Sequence, residues 1–255
     1  MQMNDLSKQQ GKQEAMYMYP YHYLPVLNDS GFAQSRNLAW GYEYLSYLHY
    51  IIDKTDALGY ESLMDVGCGD GRLLSEIHRK HNDKKLVGID YSQRAIDFAR
   101  IINPDVTWIC GDITTISSSE YRSDIITLIE VLEHIEPDKI GGFLSSLASH
   151  LDASGRLIVT VPSVNIPTNK KHYQHFSLAT LGSVLEPYYD ILDVVYLNAF
   201  NLTRKIIHKL LTNRLFIMNN AFILNACYKF YTKKLLVANE GNCSRIGVVC
   251  KKKQT

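Results

Sequence analysis

The 255-residue sequence has no uninterrupted apolar run of about 18 residues, the length that a membrane-spanning helix needs. Residues 1–14 are polar and lack the apolar stretch of a signal peptide. The five cysteines are odd in number and form no CxxC pair, which argues against a disulfide framework and against a zinc site. We therefore expect reduced thiols, a cytoplasmic location and no transmembrane segment.

Neither sign of charge dominates, because the sequence has 27 basic and 26 acidic residues and a formal net charge of +1. This balance argues against a strongly basic nucleic-acid binder and leaves open only a local basic patch, and we expect no nucleic-acid partner. Internal repeats and low-complexity segments are also missing, and the 46% hydrophobic content is ordinary for a globular protein. The sequence carries no signal for an oligomeric state.

Short apolar runs alternate with amphipathic stretches from residue 62 onward, a pattern typical of an α/β fold. The predicted strands are 62–66, 85–90, 106–110, 124–129, 156–161, 190–197 and 245–250, and the predicted helices are 34–57, 72–81, 92–102, 137–150 and 177–186. Strands that alternate with helices predict parallel pairing and right-handed crossovers. The fold class is therefore a doubly wound sheet.

The pattern divides the chain into four parts. We expect residues 1–57 to form an aromatic and helical cap and residues 58–197 to form the core. The aromatic run from Tyr17 to Tyr23 would close a ligand site on that core. Residues 198–244, apolar and basic by turns, are too long for a simple connection and predict a helical lid. Residues 245–255 supply the last core strand and a tail.

A glycine-rich turn, MDVGCGDGRLL, follows the first core strand at residues 64–74. Glycine lets the backbone approach a ligand closely, and the helix that follows offers free N–H donors. The turn is not a dinucleotide fingerprint, since Arg72 stands where the third glycine is needed. Asp65, in the same segment, favours a cationic or amine-bearing ligand.

Acidic residues lie near the carboxyl ends of four successive strands, the edge at which open parallel sheets bind ligands. These residues are Asp65, Asp90, Asp112 and Glu130. Asp90 follows Gly69 at the distance typical of an acid that binds ribose hydroxyls. Four acids at one edge predict a single binding site there.

With these motifs, the chain resembles the class I S-adenosylmethionine-dependent methyltransferases over roughly residues 60–197 and the strand 245–250. DVGCGDG is similar to the glycine-rich motif of that family, GIDYS to the ribose motif, GDI to the adenine motif and DIITLIEVLEH to the fourth-strand motif. The resemblance implies a Rossmann-like, mostly parallel sheet with an antiparallel last strand and helical cap elements, and S-adenosylmethionine as cofactor.

The resemblance also implies roles for individual residues. Gly67, Gly69 and Asp65 would hold the amino-acid end of the cofactor, and Asp90 would accept from both ribose hydroxyls. Around the adenine, the implied contacts are Tyr91 and Ile113 at the ring and Asp112 at the amino group. Thr114 is either part of this motif or the cap of a following helix. Glu130, after the fourth strand, completes the implied cofactor set.

The segment Glu130-Val131-Leu132-Glu133-His134 carries the chemistry that is hardest to assign. On a helical turn, residues 130, 133 and 134 share one face and could hold magnesium or manganese. This ExxEH pattern resembles the metal site of ubiquinone-pathway and small-RNA O-methyltransferases. The alternative is that the glutamates contact the cofactor. Because three ligands from one segment leave the coordination incomplete, we assign no metal ligand.

Histidines supply the candidate catalytic groups: His134, and His172 and His175 in a loop after the fifth strand. A neutral imidazole could remove the proton of an alcohol acceptor near neutral pH. The alternative for the loop histidines is a structural role near Ser177, a good N-cap for the next helix.

These features predict an enzyme that moves a methyl group to an oxygen of a small molecule, such as a sugar or a nucleotide-linked intermediate. The aromatic and acidic run of the small-RNA enzymes is absent after the histidine, which argues against RNA. Two alternatives stay open. One is an N-methyltransferase or a quinone or lipid methyltransferase, with weak membrane contact through residues 204–236. The other is a catalytically silent partner subunit.

Overall fold

A computed structural model describes residues 26–28, 31–33, 38–211 and 220–253 of the chain. The polar residues 1–14 and the aromatic run from Tyr17 to Tyr23 lie outside these residues. The first described residues form two short antiparallel strands, β1 (Val26–Asn28) and β2 (Gly31–Ala33).

A seven-stranded sheet lies at the centre of the described residues, in the order β5-β4-β3-β6-β7-β9-β8. Its strands are β3 (Ser62–Val66), β4 (Lys85–Asp90), β5 (Thr107–Cys110), β6 (Ser123–Ile129), β7 (Leu151–Pro162), β8 (Tyr189–Ala199) and β9 (Cys243–Lys252). Within this sheet β9 alone runs opposite to the other six strands. The predicted fold class, a doubly wound and mostly parallel sheet with an antiparallel last strand, is confirmed.

Helices cover both faces of the sheet. They are α1 (Leu38–Leu58), α2 (Arg72–Lys80), α3 (Gln93–Ile102), α4 (Ile140–His150), α5 (Leu178–Leu185), α6 (Leu202–Leu211) and α7 (Ala221–Lys234). Successive strand residues point to opposite faces, so that Leu63 packs in the core under α1, α2 and α3 while Met64 packs under α4 and α5. No helix in the described ranges is both long and apolar enough to cross a membrane.

Among the described residues, two element boundaries differ from the sequence expectation by three residues or more. Helix α4 begins at Ile140 rather than at residue 137, because Pro137 and the next two residues form a turn before it. Strand β7 begins at Leu151 rather than at residue 156, because a bulge lets Leu151 pair with Ser123. The difference in β7 lies at the amino ends of the strands, away from the predicted site, whereas α4 begins six residues after His134 at the site edge.

The strand order places the glycine-rich turn at a special point of the sheet. The chain runs outward from β3 through β4 to β5, then returns to the other side of β3 to form β6 and β7. The carboxyl end of β3 is therefore the topological switch point, where open α/β sheets form a ligand crevice.

Helices α6 and α7 lie within the predicted insertion 198–244, and α6 is held to α1 by a buried ion pair. Glu43 accepts from Arg204 and from His208 through the same carboxylate oxygen, and Arg204 also donates to Ser244. Burial opposes ionisation of Glu43, but these hydrogen bonds and charges hold its pKa at about 2. That these helices act as a lid stays a prediction.

We expect Glu43→Ala to loosen α6, because Arg204 and His208 would lose their buried partner. Removing one member of a buried ion pair typically costs about 3–5 kcal/mol. Hydrogen exchange measured by mass spectrometry should show faster exchange across α6 than in β3 and β4. Asp53→Ala on the same helix is the control, since that side chain is 77% exposed. Equal protection of α6 in both variants would contradict this account.

Candidate active site at the carboxyl edge of the sheet

The turn between β3 and α2 depends on three glycines with positive φ: Gly67 at 78°, Gly69 at 55° and Gly71 at 76°. A β-carbon on Gly71 would lie 2.4 Å from Cη2 of Trp108, so this position has no room for a side chain. The backbone N–H groups of Gly67 and Cys68 both donate to the carbonyl of Ile89. The turn is thus rigidly tied to β4.

Asp90 fixes the same turn from the end of β4. Its Oδ2 accepts from the backbone N–H of Gly69 at 2.9 Å, and its Oδ1 accepts from that of Ser92 at 2.9 Å. Ser92 in turn caps α3 by accepting from the N–H of Ala95. Asp90 therefore joins the glycine-rich turn to the start of α3, and a carboxylate oxygen that accepts one hydrogen bond can also accept another from a ligand.

Asp65 is 3% exposed and accepts from the hydroxyl of Thr127 at 2.7 Å. Burial, to which the charge of Asp90 adds, raises the pKa of Asp65 to about 7, although the Thr127 hydroxyl opposes the shift. A cationic group bound beside Asp65 would stabilise the ionised carboxylate, which burial disfavours.

Asp65 makes a testable contribution to stability against pH. The unfolded chain releases this proton near the ordinary aspartate pKa of 3.8 and the folded chain near a pKa of 7, so the folded state binds more protons between these values. The contribution of Asp65 is therefore most favourable below about pH 4, and it falls by up to about 4 kcal/mol as the pH rises to 7.

Asp65→Asn should lack this loss and should be more stable than the wild type near pH 8, with little difference near pH 4. Urea unfolding across this range measures it. Asp97→Asn, on the exposed face of α3, is the control. A wild type and an Asp65→Asn variant with parallel pH profiles would contradict the raised pKa.

The predicted adenine contacts lie at the ends of β4 and β5. Asp112 is exposed, and its Oδ1 accepts from the backbone N–H and the hydroxyl of Thr114. No helix follows Thr114 before β6, so the alternative that it caps one is wrong. Ile113 is 2% exposed, and Tyr91 is half-buried beside Cys110, whose thiol approaches its carbonyl at 3.5 Å.

The sequence predicted a helical turn at Glu130, but the structure places this residue outside any helix. Its backbone N–H donates to the carbonyl of Thr160 of β7, and its φ of 56° lies in the left-handed region, so residue 130 forms a bend directly after β6. The short 3-10 helix Leu132–His134 begins only afterwards. The carboxylate Oε2 of Glu130 accepts from Arg245 at 3.1 Å, a pairing across the sheet.

The 3-10 helix places Glu133 inside and His134 at the rim. Glu133 is 1% exposed, and its Oε2 has no hydrogen-bond partner among the described residues. Burial, with the neighbouring Glu130 charge, raises the pKa of Glu133 well above its usual value. The Nε2 of His134 lies 3.9 Å from Oε1 of Glu133.

The two loop histidines come together with His134. The Nδ1 of His134 lies 3.1 Å from the carbonyl of Lys171, and the Nδ1 of His175 lies 3.1 Å from the carbonyl of Ile166. A carbonyl only accepts, so both Nδ1 atoms carry the proton. The Nδ1 of His172 lies 2.8 Å from the Nε2 of His175, and with the ring proton of His175 on Nδ1 this Nε2 accepts from His172.

This hydrogen-bond chain leaves the Nε2 lone pairs of His134 and His172 unused within it. Burial, and then the neighbouring imidazoles, lowers the pKa of His172 to about 3, and burial also lowers the pKa of His134. One ligand atom each from Glu133, His134 and His172 lies within 4.8 Å of the others.

Ser177 caps α5 through a capping box with Thr180, as predicted, and His175 takes no part in that cap.

Sequence reasoning missed the residues that hold this site in shape. Thr127 binds Asp65, Arg245 binds Glu130, and Trp108 fills the space beneath Gly71. Each of these contacts joins distant parts of the chain, so no local residue spacing predicts it.

Known proteins are similar to the core of this chain in sequence. Residues 63–155 match the family model described as "Methyltransferase domain". A ubiquinone biosynthesis O-methyltransferase of Coxiella burnetii is 31% identical over 119 residues, which are 45% of this chain and 49% of that protein. The chain thus spans about half the length of the curated relatives that it matches.

Solved structures share the fold at low identity. A SAM dependent methyltransferase from Archaeoglobus fulgidus matches with a TM-score of 0.54 at 15% identity, over 84% of this chain and 99% of that one. The N-methyltransferase NodS from Bradyrhizobium japonicum matches with a TM-score of 0.56 at 13% identity, over 82% and 87%. These structures agree in fold with the family-model match, and residues 63–155 of this chain are similar to the methyltransferase domain.

Proposed function

We propose that the protein binds S-adenosylmethionine at the carboxyl edge of the sheet and transfers its methyl group to an oxygen of a small molecule. One observation carries the proposal. A β-carbon on Gly67 would lie 2.4 Å from Cγ2 of Val131, so the glycine-rich turn touches the segment that bears Glu133 and His134. A cofactor on the turn would thus lie beside the polar groups that face the acceptor.

The cofactor would follow the turn from β3 to β5. The buried Asp65 offers its carboxylate to the ammonium group, and the carboxylate of Asp90 accepts from the ribose hydroxyls. Ile113 and Tyr91 border the adenine, and Asp112 accepts from its amino group. NodS, which shares the fold, was solved in complex with S-adenosyl-L-homocysteine.

The cluster of Glu133, His134 and His172 fits a divalent cation. Its two imidazole lone pairs are fixed by hydrogen bonds on the opposite ring nitrogens, and buried oxygens of Glu130 and Glu133 have no hydrogen-bond partner among the described residues. Bonds of about 2.1 Å place two ligands at most about 4.2 Å apart, so binding requires a shift of a few tenths of an ångström from the present spacing.

The third donor, His172, is what the sequence left ambiguous, and on this basis we favour a cation over the metal-free alternative. An imidazole of pKa far below 7 takes a proton poorly, but it remains an effective metal ligand. A cation such as manganese or magnesium would lower the pKa of an acceptor hydroxyl. His175 orients His172 through their hydrogen bond, and Arg245 holds Glu130 beside them.

The transfer itself needs alignment more than activation. The sulfonium group of the cofactor already carries a reactive methyl, so the chain must hold the acceptor in line with it and exclude water. Support for oxygen as the acceptor comes from the ubiquinone biosynthesis O-methyltransferases among the relatives. A small polar acceptor, such as a sugar or nucleotide-linked intermediate, suits the polar rim of the site.

A turnover assay with methyl-labelled S-adenosylmethionine tests the proposal. The panel contains hydroxyl-bearing acceptors, amines and quinols. We expect label in the hydroxyl-bearing acceptors, with one S-adenosylhomocysteine formed for each methyl group transferred. Label in amines only would replace the O-methyl assignment by N-methyl transfer. Cofactor binding without turnover on any acceptor, alone or with added divalent cation, would favour a silent partner subunit.

A further inference from the structure

Large apolar side chains lie exposed on α6, on α7 and just before them. Ile206 is 61% exposed, Phe222 is 83% exposed and Phe230 is 43% exposed. Isolated exposed apolar residues are ordinary, but a concentration on two helices marks an interaction surface.

Helix α6 exposes apolar side chains on its outer side. Arg204, Ile207, His208 and Leu211, spaced at three- and four-residue steps, face inward, and Arg204 and His208 bind Glu43 of α1. The opposite side of the helix consists of Leu202, Lys205, Ile206 and Lys209, all exposed. The helix therefore uses ion pairs to hold itself to the protein and leaves an apolar and basic side to the surroundings.

Helix α7 has the same arrangement. Its inner side packs through Tyr228, stacked on Tyr42 with ring centroids 5.4 Å apart, and through the buried Tyr231. Its outer side carries Phe222, Lys229, Phe230 and Lys233, all exposed. Ile207 of α6 packs against the cluster that contains Tyr231 of α7, so both inner sides meet there and the outer sides point away from it.

The charge of this region has one sign. The sequence has no acidic residue between Asp193 and Glu240, whereas it has seven basic ones there: Arg204, Lys205, Lys209, Arg214, Lys229, Lys233 and Lys234. The chain as a whole is nearly neutral, at +1, so the imbalance is local. Apolar side chains interleaved with lysines are the composition of helices that lie in a membrane interface.

We propose that the outer sides of α6 and α7, the outer face, dock on an anionic lipid bilayer. Phe222, Phe230 and Ile206 would enter the boundary between headgroups and acyl chains, while the lysines contact lipid phosphates. A second copy of the chain is the weaker candidate, because lysines would meet lysines across a two-fold contact. The proposal does not depend on which acceptor the enzyme methylates.

The outer face lies at the same end of the molecule as the candidate active site. Strand β8 runs parallel to β7, and α6 begins directly after β8, so it starts at the carboxyl edge of the sheet. Docking would therefore bring the site edge close to the bilayer surface.

Flotation of the full chain with phosphatidylcholine vesicles, with and without phosphatidylglycerol, tests the proposal. We expect binding to the anionic vesicles that weakens as salt rises. The combined variant Lys205→Gln, Lys209→Gln and Lys233→Gln should lower the partition coefficient about a hundredfold, at about fivefold per lysine. The combined variant Ile206→Ser, Phe222→Ser and Phe230→Ser should lower it at least tenfold.

The matched control combines Ile101→Ser, Ile102→Ser and Leu192→Ser, which are 78%, 47% and 49% exposed but lie elsewhere. It should bind vesicles as the wild type does, and circular dichroism and S-adenosylhomocysteine affinity should be unchanged in all variants. Absence of binding to anionic vesicles would overturn the proposal, as would an equal loss in the control. Self-association without vesicles, abolished by the apolar variant, would assign the face to a second copy instead.

Discussion

Asp90→Ala should weaken binding of S-adenosylhomocysteine at least a hundredfold in a calorimetric titration. The substitution removes two acceptors for the ribose hydroxyls, and hydrogen bonds to a charged group contribute about 1.5–3 kcal/mol each. It also removes the bond from Gly69 N–H, which holds the glycine-rich turn against β4. Both losses act on the same ligand, so the effect should exceed that of either contact alone.

The control for this titration is Asp97→Ala, an exposed aspartate on α3 whose change should leave affinity as in the wild type. Asp90→Asn should give an intermediate affinity, because the amide keeps one acceptor and loses the charge. If Asp90→Ala bound the ligand as tightly as the wild type, the ribose would lie elsewhere and the assignment of this edge would be wrong.

His172→Ala should abolish both manganese binding and most of the turnover, with cofactor affinity unchanged. The cluster would lose one of its two imidazole ligands, and the loss of an activating group typically costs about 10²–10⁴ in rate. Binding of manganese is read from the electron paramagnetic resonance signal of the free ion, which is independent of any acceptor. His78→Ala, a half-buried histidine on α2, is the control.

A chelator separates the cation from the imidazole base. If Glu133, His134 and His172 hold a cation, chelation should remove turnover, and added manganese or magnesium should restore it. If manganese does not bind and the chelator has no effect while His134→Ala still loses turnover, the acceptor proton goes to an imidazole instead. That outcome would restore the metal-free alternative.

The sequence predicted the sheet and the glycine-rich turn well because their signals are local. Alternating apolar runs identify the strands, and Gly67, Gly69 and Gly71 stand where the backbone needs positive φ. Strand order then follows from the family resemblance, as the antiparallel β9 does. The four acids near the strand ends do lie along one edge, as their register implied.

The arrangement of the histidines could not be predicted in this way. His172 reaches His134 only because the loop after β7 folds back, with the N–H of Tyr173 donating to the carbonyl of Glu133. The helical turn expected for Glu130 failed because this residue leaves β6 with a φ of 56° while its N–H donates to the carbonyl of Thr160. Such contacts depend on the assembled sheet rather than on spacing.

A crystal structure of the protein with S-adenosylhomocysteine would show directly whether the cofactor lies at the carboxyl edge of the sheet. We expect density along the edge from β3 to β5, with the ribose hydroxyls at hydrogen-bond distance from Asp90, the amino-acid end at Gly67 and the adenine against Ile113. Density at another edge of the sheet, or a fully formed site that stays empty at saturating ligand, would contradict this placement.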